Sequence, residues 1–295
     1  MNSISRAVSF YNKSEDISLN IDDVSDGIII NSIDGIYSFE GNVSTSDYSQ
    51  THGARYKSTR VPFRNIVVNG QIYKDFNEYR QILYKVFRPD AQGEFTYFED
   101  EKDARIANYY VEKVDIDQEH NISTFQVSLI CPDPFFYNKN NIVVELAAWS
   151  SDFTFAHEFR EEGEELGHRM TSMIEEIDNL NGVSGIGMKI TLTATGDVIN
   201  PYVYLYETGE SINIGTDLNP YTLTSAKKVV INTSTGSKGI KQIIDNTELS
   251  INEYLDPESV FFQLDSGINT IGYNANSGAE NLDVRIEYRM RYLGV

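Results

Sequence analysis

The side chains able to do chemistry in this 295-residue chain are four histidines, one cysteine and a large excess of acids. The histidines are His52, His120, His157 and His168, and none has a second histidine three or four residues away. The His-Glu-x-x-His pattern, which puts two imidazoles on one helix face around zinc, is missing. A structural or solvated role is expected for each. Cys131 is the lone cysteine, so no intrachain disulfide forms, and a thiolate metal site would need further Cys or His ligands. Beside Pro132, at an inward strand position, it reads as a small buried hydrophobe. Asp115-Ile116-Asp117 opens like a calcium loop but lacks the glycine and late bidentate glutamate of one. Gly182, Gly185 and Gly187 match neither a dinucleotide fingerprint nor a phosphate loop, and no Gly-x-Ser-x-Gly elbow occurs. Carboxylate pairs for glycoside hydrolysis are defined by separation in space, and with 44 acids such pairs arise by chance. The run Glu161, Glu162, Glu164, Glu165 reads as a solvated loop, with a weak cation site or a site for a basic partner as the alternative. No catalytic residue, metal ligand or cofactor is expected.

Charge is more informative. The formal net charge is −20, from 44 acids against 24 Lys and Arg. Such a chain repels phosphate backbones and anionic membrane surfaces and stays soluble, so nucleic-acid and membrane partners are not expected. Against that background no acid lies between Gln50 and Asn69, where Arg55, Lys57, Arg60 and Arg64 are all basic. One reading is a solvated strand and loop. The other is a contact strip meeting an acidic neighbour, such as the next copy of this chain, where complementarity would set orientation more than affinity. No basic and apolar leader and no membrane-length apolar window is visible, so synthesis in a cytoplasm is expected.

The elements that must position these residues are strands. Phe125, Val127, Leu129 and Cys131 alternate with polar residues. So do Met188, Ile190, Leu192 and Ala194, and Val284, Ile286, Tyr288, Met290 and Tyr292. Period-two segregation suits a sheet with one buried face. Further strands are expected at Val61–Val68, Phe95–Phe98, Arg105–Ile116, Ile142–Ala148, Tyr202–Tyr206, Lys228–Ile231 and Val260–Leu264. One helix is expected at Asp75–Phe87, with Asp75 and Glu78 forming a capping box and Pro89 stopping it. Glu158–Leu180 has helical spacing but is interrupted by Gly163 and Gly167, each costing about 1 kcal/mol in a helix interior. Cys131-Pro132-Asp133-Pro134-Phe135-Phe136 marks a boundary, because its prolines cannot donate to a ladder. Two domains follow, residues 1–136 and 140–295.

The order of these elements resembles a known family. Arg60-Val61-Pro62-Phe63-Arg64-Asn65-Ile66-Val67-Val68-Asn69-Gly70, the helix, Glu94–Phe98, Arg105–Ile116 and the ending Cys131-Pro132-Asp133-Pro134-Phe135-Phe136 resemble the N-terminal domain of siphophage distal tail proteins. Gly196–Val203 and Phe261–Ile271 are similar to segments of that family's C-terminal half. The resemblance implies a mainly β fold: an N-terminal β-barrel-like domain with one α-helix, and a C-terminal β-sandwich of galectin or carbohydrate-module type. It also implies extended structure around Leu166–Arg169, so strands are expected in the ambiguous segment.

The implied function is structural and non-enzymatic. The chain would form a homo-oligomeric, hexameric ring at the distal end of the virion's tail. There it would be a hub for the tail tube protein, the tail tip (tail-associated lysin-like) protein and receptor-binding or baseplate proteins. Arg55, Lys57, Arg60 and Arg64 are then the candidate ring or lumen contact. A second reading takes the sandwich as a glycan-binding module adhering to host cell-wall polysaccharide, with Trp149, Tyr202, Tyr204 and Tyr206 as candidate contacts against a core-packing role. A glycan hydrolase on the same sandwich is a third.

Overall fold

The computed structural model describes residues 7–22, 26–98, 104–118, 123–151, 167–171 and 174–295, the backbone alone in 147–151 and 167–171. The chain divides into two compact units, Met1–Lys139 with Arg291–Val295, and Asn140–Met290. Every strand pairing is antiparallel, and one α-helix occurs among the described residues.

The first unit contains β1 (Ala7–Asn12), β2 (Ile17–Ile21), β3 (Ile28–Asp34), β4 (Asn42–Asp47), β5 (Ala54–Arg60), β6 (Arg64–Ile72), helix α1 (Phe76–Val86), β7 (Gln92–Phe98), β8 (Arg105–Asp117), β9 (Ser123–Cys131) and β10 (Phe136–Asn138). Alternation places β9 where it was expected. Phe125, Val127, Leu129 and Cys131 are buried, and β9 pairs with β6 without a break from Arg64↔Cys131 to Ile72↔Ser123. The hydrogen-bonded path runs β2-β1-β7-β8-β9-β6-β3. One core collects residues from all of these strands, with Phe10, Phe87, Phe95 and Tyr109 packed ring to ring at its centre. The sheet thus wraps on itself as a barrel does, but β2 and β3 at its ends are not paired and the barrel is not closed.

Helix α1 buries Leu83 and Val86 against this core. Its start corrects the expected capping box. Asp75 is the N-cap residue but has φ 50°, and its side chain makes no capping bond. Its carbonyl instead accepts from the N–H groups of Glu78 and Tyr79 at 2.9 and 3.1 Å.

The second unit holds β11 (Ile142–Glu145), β12 (Ala147–Ser151), β13 (Gly167–Thr171), β14 (Ile174–Asn179), β15 (Met188–Ala194), β16 (Val198–Leu205), β17 (Ser211–Asn213), β18 (Thr222–Leu223), β19 (Lys228–Asn232), β20 (Gly239–Ile244), β21 (Thr247–Ser250), β22 (Gly267–Ser277) and β23 (Leu282–Tyr288). A six-stranded sheet, β11-β23-β15-β19-β20-β21, and a five-stranded one, β14-β22-β16-β17 with β18 on β16, share a single core. Ile190, Leu192, Ile231 and Ile286 supply it from one sheet, and Val203, Ile271 and Tyr273 from the other. This is a β-sandwich, and β12 and β13 form a further two-stranded sheet. The ambiguous segment contains strands, β13 and β14, within residues 167–179. Its acidic run Glu161–Glu165 lies outside the described residues.

Four expected strands changed, among them Ile142–Ala148, which breaks at Leu146 and divides between β11 and β12 in different sheets. Val61-Pro62-Phe63 is irregular and β6 begins at Arg64, because prolines do not serve in paired strand interiors. In Val260–Leu264 only Leu264 bridges, to Ile186. The C-terminal alternation stops at Tyr288, and β24 (Arg291–Tyr292) pairs with β10. Residues 291–295, read from the sequence as part of the second domain, therefore belong to the first unit.

Candidate interaction surface

Of the four cations grouped by sequence, three stand on one element. Arg55, Lys57 and Arg60 are on β5, which pairs with β4 as an isolated two-stranded sheet. All of β5 and all but one residue of β4 are exposed. The pair is an arm with solvent on both faces.

The register of this arm sorts its chemistry. Ser44 opposes Ser58, but the next pair is Thr45 with Tyr56, which leaves Lys57 as the extra residue of a bulge. Strand faces alternate at every residue, so Arg55 and Arg60, five apart, would otherwise point to opposite sides; the bulge brings them back into phase. Arg55, Ser58 and Arg60 share one face with Asn42, Ser44 and Ser46. Val43, Thr45, Tyr56 and Thr59 share the other, where Val43 is 60% and Tyr56 61% exposed. Among the described residues none of the three cations has an ion-pair partner, although the chain carries a net charge of −20.

Arg64 departs from this group and corrects the four-residue strip. It is 6% exposed, and its guanidinium is spent on backbone carbonyls. Nε donates to Pro134 O at 2.7 Å and Nη1 to Ser38 O at 2.7 Å. Nη1 also donates to Gly35 O, and Nη2 to Leu293 O. The group lies 4.7 Å from the centre of the Phe136 ring. Among the described residues no acid pairs with it; four carbonyl dipoles solvate the charge, and burial lowers its pKa. Gly35 is required here, because at φ 87° a Cβ would run into Asn65 O. Cys131, in register with Arg64, is fully buried, and burial pushes its thiol up to about 12. It is an inert core residue.

Two recesses flank this region. One of about 370 Å3 is lined by Ser38, Phe39, Glu40, Pro62, Phe63 and Arg64, with Phe39 and Phe63 exposed beside the arm. The other, of about 530 Å3, opens at the unpaired edges of β2 and β3 and is lined by Val8, Ile21, Ile30, Ile33, Tyr37 and Tyr73. The exposed aromatics and the arm's Val43 and Tyr56 were not singled out from sequence. The signal available was the acid-free stretch itself, which contains the second strand of the arm and the start of β6.

In the second unit, Tyr202 and Tyr204 line the outward side of the five-stranded sheet, with Tyr206 in the turn just after β16, while Val203 and Leu205 face the core. The Tyr202 and Tyr204 rings lie 6.1 Å apart, and Tyr206 is 70% exposed. Tyr204 lies flat over Gly272, the cross-strand partner whose Cβ would collide with its ring. Asn274 and Asn213 flank Tyr202 on the neighbouring strands. Trp149 pairs through its backbone with Arg169, and its side chain lies outside the described residues. His52 sits exposed in the arm's turn, and the described residues contain no group of three or more His, Cys, Asp or Glu able to hold a metal ion. No described helix is long and apolar enough to cross a membrane.

Comparison with known proteins agrees with this architecture. Residues 15–131 match the family described as phage tail protein RIFT-related domain, and residues 181–292 match the siphovirus-type tail component, C-terminal domain. No curated protein matches the sequence. Among solved structures, the SPP1 Dit (gp 19.1) protein, described as a paradigm of the hub adsorption apparatus in phages infecting Gram-positive bacteria, superposes with a TM-score of 0.69. It is 9% identical, with 97% of this chain and 99% of that one covered. A chain of the phage P2 baseplate in its activated conformation with Ca superposes at 0.50, with 8% identity over 99% of this chain and 100% of that one. The same baseplate with Sr gives 0.51, again at 8% identity. At such identities the likeness concerns the fold, while the two family matches span most of the sequence. The chain belongs to the siphophage distal tail (Dit-like) protein family and is a structural component of the phage tail.

Proposed function

We propose that copies of this chain close head to tail into a ring, six by the family resemblance, at the distal end of the tail. The ring is a hub joining the tail tube to the tip protein and to receptor-binding or baseplate proteins, and it catalyses no reaction. The observation that carries this reading is the β4–β5 arm. An isolated two-stranded hairpin is marginal in water, and this one exposes an apolar face with Val43 and Tyr56 and a face with Arg55 and Arg60, which have no ion-pair partner among the described residues. Its chemistry suits an acidic protein surface, and another copy of this chain, at −20, is acidic. A contact between an arm and a different surface of the next copy is heterologous, and heterologous contacts form rings when their rotation closes.

The double variant Arg55→Glu/Arg60→Glu tests this, with mass followed by light scattering. Assembly is expected to be lost while the melting temperature is unchanged. Full assembly of the variant would remove the arm's cationic face from the contact.

A second reading is favoured by the tyrosine row. Tyr202, Tyr204 and Tyr206 stand outward, with Asn213 and Asn274 beside them, and exposed aromatic faces flanked by amides suit stacking and hydrogen bonding to sugar rings. On this reading the sandwich adheres to host cell-wall polysaccharide. Titration of the full chain with that polysaccharide is expected to saturate and to weaken in Tyr202→Ala and Tyr206→Ala; a flat titration ends the reading.

A further inference from the structure

We propose that residues Arg291–Val295 act as an assembly latch: docked on the first unit they hold the root of the β4–β5 arm, and the arm is competent for ring contacts only when they are docked. This rests on the ring reading above and adds a control to it.

The latch is held at several points. Tyr292 and Arg291 pair with Phe136 and Tyr137 of β10. The Val295 N–H donates to Ile36 O at 3.2 Å. The Arg105 guanidinium lies 3.6 Å from the Tyr292 ring centre, and that of Arg291 4.0 Å from the Phe135 ring centre. Gly294 lies so close that a Cβ there would come within 3.2 Å of Ile36 O.

The decisive contact is Arg64. It stands four residues beyond the end of the arm's second strand, and it binds the carbonyls of Gly35 and Ser38, which precede the first. Both ends of the arm therefore meet at one guanidinium. The same group binds Leu293 O of the latch. Removing the latch takes one acceptor from a buried cation and also frees Ile36, in the segment leading to β4. A buried charge with fewer partners draws in water or moves outward, and either response loosens the root.

The latch follows the entire second unit in the chain. A chain that has not completed that unit cannot present it, and would leave the arm's root unlocked. The consequence is ordered assembly, in which only chains with both units made enter the ring.

Cys131 supplies a probe. It is the single cysteine, fully buried and in register with Arg64, so its labelling by a thiol reagent reports opening at the root. In the full chain, Gly294→Val and Tyr292→Ala are expected to raise that labelling rate by on the order of tenfold through easier local opening, to speed hydrogen exchange over residues 36–42 and to reduce the assembled fraction. A chain truncated after Met290 is expected not to assemble, and a synthetic peptide of residues 289–295 to restore assembly. Full assembly of the truncated chain would overturn the latch. If truncation abolishes folding, Tyr292→Ala decides instead, because normal assembly despite faster Cys131 labelling also overturns it. If the intact chain does not assemble, the ring reading fails. Labelling then judges the latch alone, and an unchanged rate in the truncated chain rejects it.

Discussion

Arg60 and Arg64 are four residues apart and in opposite circumstances. Arg60 closes β5 on an arm with solvent on both faces and has no ion-pair partner among the described residues. Arg64 opens β6, is buried, and hydrogen-bonds four carbonyls drawn from three stretches of chain outside its own strand. The arm is made of residues that contribute little to the fold of a single copy and are free to meet another molecule. The root beneath it is made of residues that the fold needs. The two regions teach that a buried cation serving the fold and exposed cations that, on the ring reading, serve assembly are separate side chains, even where the sequence sets them side by side.

The largest test of that separation is Arg64→Met. Loss of the charge leaves four carbonyls without their donor, so unfolding of the first unit in denaturant is expected to become easier by about 3–5 kcal/mol. Arg60→Met, on the exposed arm, is expected to change stability by less than about 0.5 kcal/mol. Equal effects would erase the contrast. A comparably large loss, about 2–5 kcal/mol, is expected for Ile286→Ala in the sandwich core. Because that core is distinct from the first unit's, Cys131 labelling at the arm's root should not change in that variant.

A smaller effect concerns the opposite face of the arm. Val43→Ser with Tyr56→Ser should leave the melt of the single chain within about 0.5 kcal/mol of the parent while weakening assembly. An unaltered assembly curve would confine the contact to the cationic face. Salt sharpens the same distinction, since the screening length falls from about 10 Å at 0.1 M to about 3 Å at 1 M. Cationic-face contacts should weaken over that range and apolar ones should not.

The smallest effect is acid sensitivity in the sandwich. The carboxyl of Glu287 is held below its usual range by the Lys189 ammonium at 3.2 Å, and further by Arg285. A carboxyl whose folded pKa is lowered contributes stability that is full above the ordinary carboxylate range and is lost as pH falls through the lowered value. Glu287→Gln should therefore flatten the acid side of the second unit's stability profile and leave the neutral-to-alkaline side nearly parallel.

How much of this was legible in the sequence follows from the same physics. β9, β15 and most of β23 were readable because each has one face in a core and one in water, which writes period two into the text. The arm was not, because Asn42–Asp47 and Ala54–Arg60 have water on both faces and no alternation to show. β1, β2 and β3 were missed too, and without them neither the β3–β6 pairing nor the open barrel edge was in view. Arg64 was grouped with Arg60 by proximity, yet Val61-Pro62-Phe63 breaks the strand between them, and only tertiary structure brings Pro134 and Leu293 to its guanidinium. The latch was hidden because alternation from Val284 to Tyr292 continues across Arg289-Met290, where the chain leaves one sheet for another. The outward tyrosines were legible as a row, but not which side of the sheet they occupied.

Self-association through the arm is tested most directly by negative-stain microscopy of the purified full chain. Closed annular particles of uniform diameter, absent from the Arg55→Glu/Arg60→Glu variant, are the predicted result. Single-chain particles at high protein concentration, or rings unchanged in that variant, would contradict it.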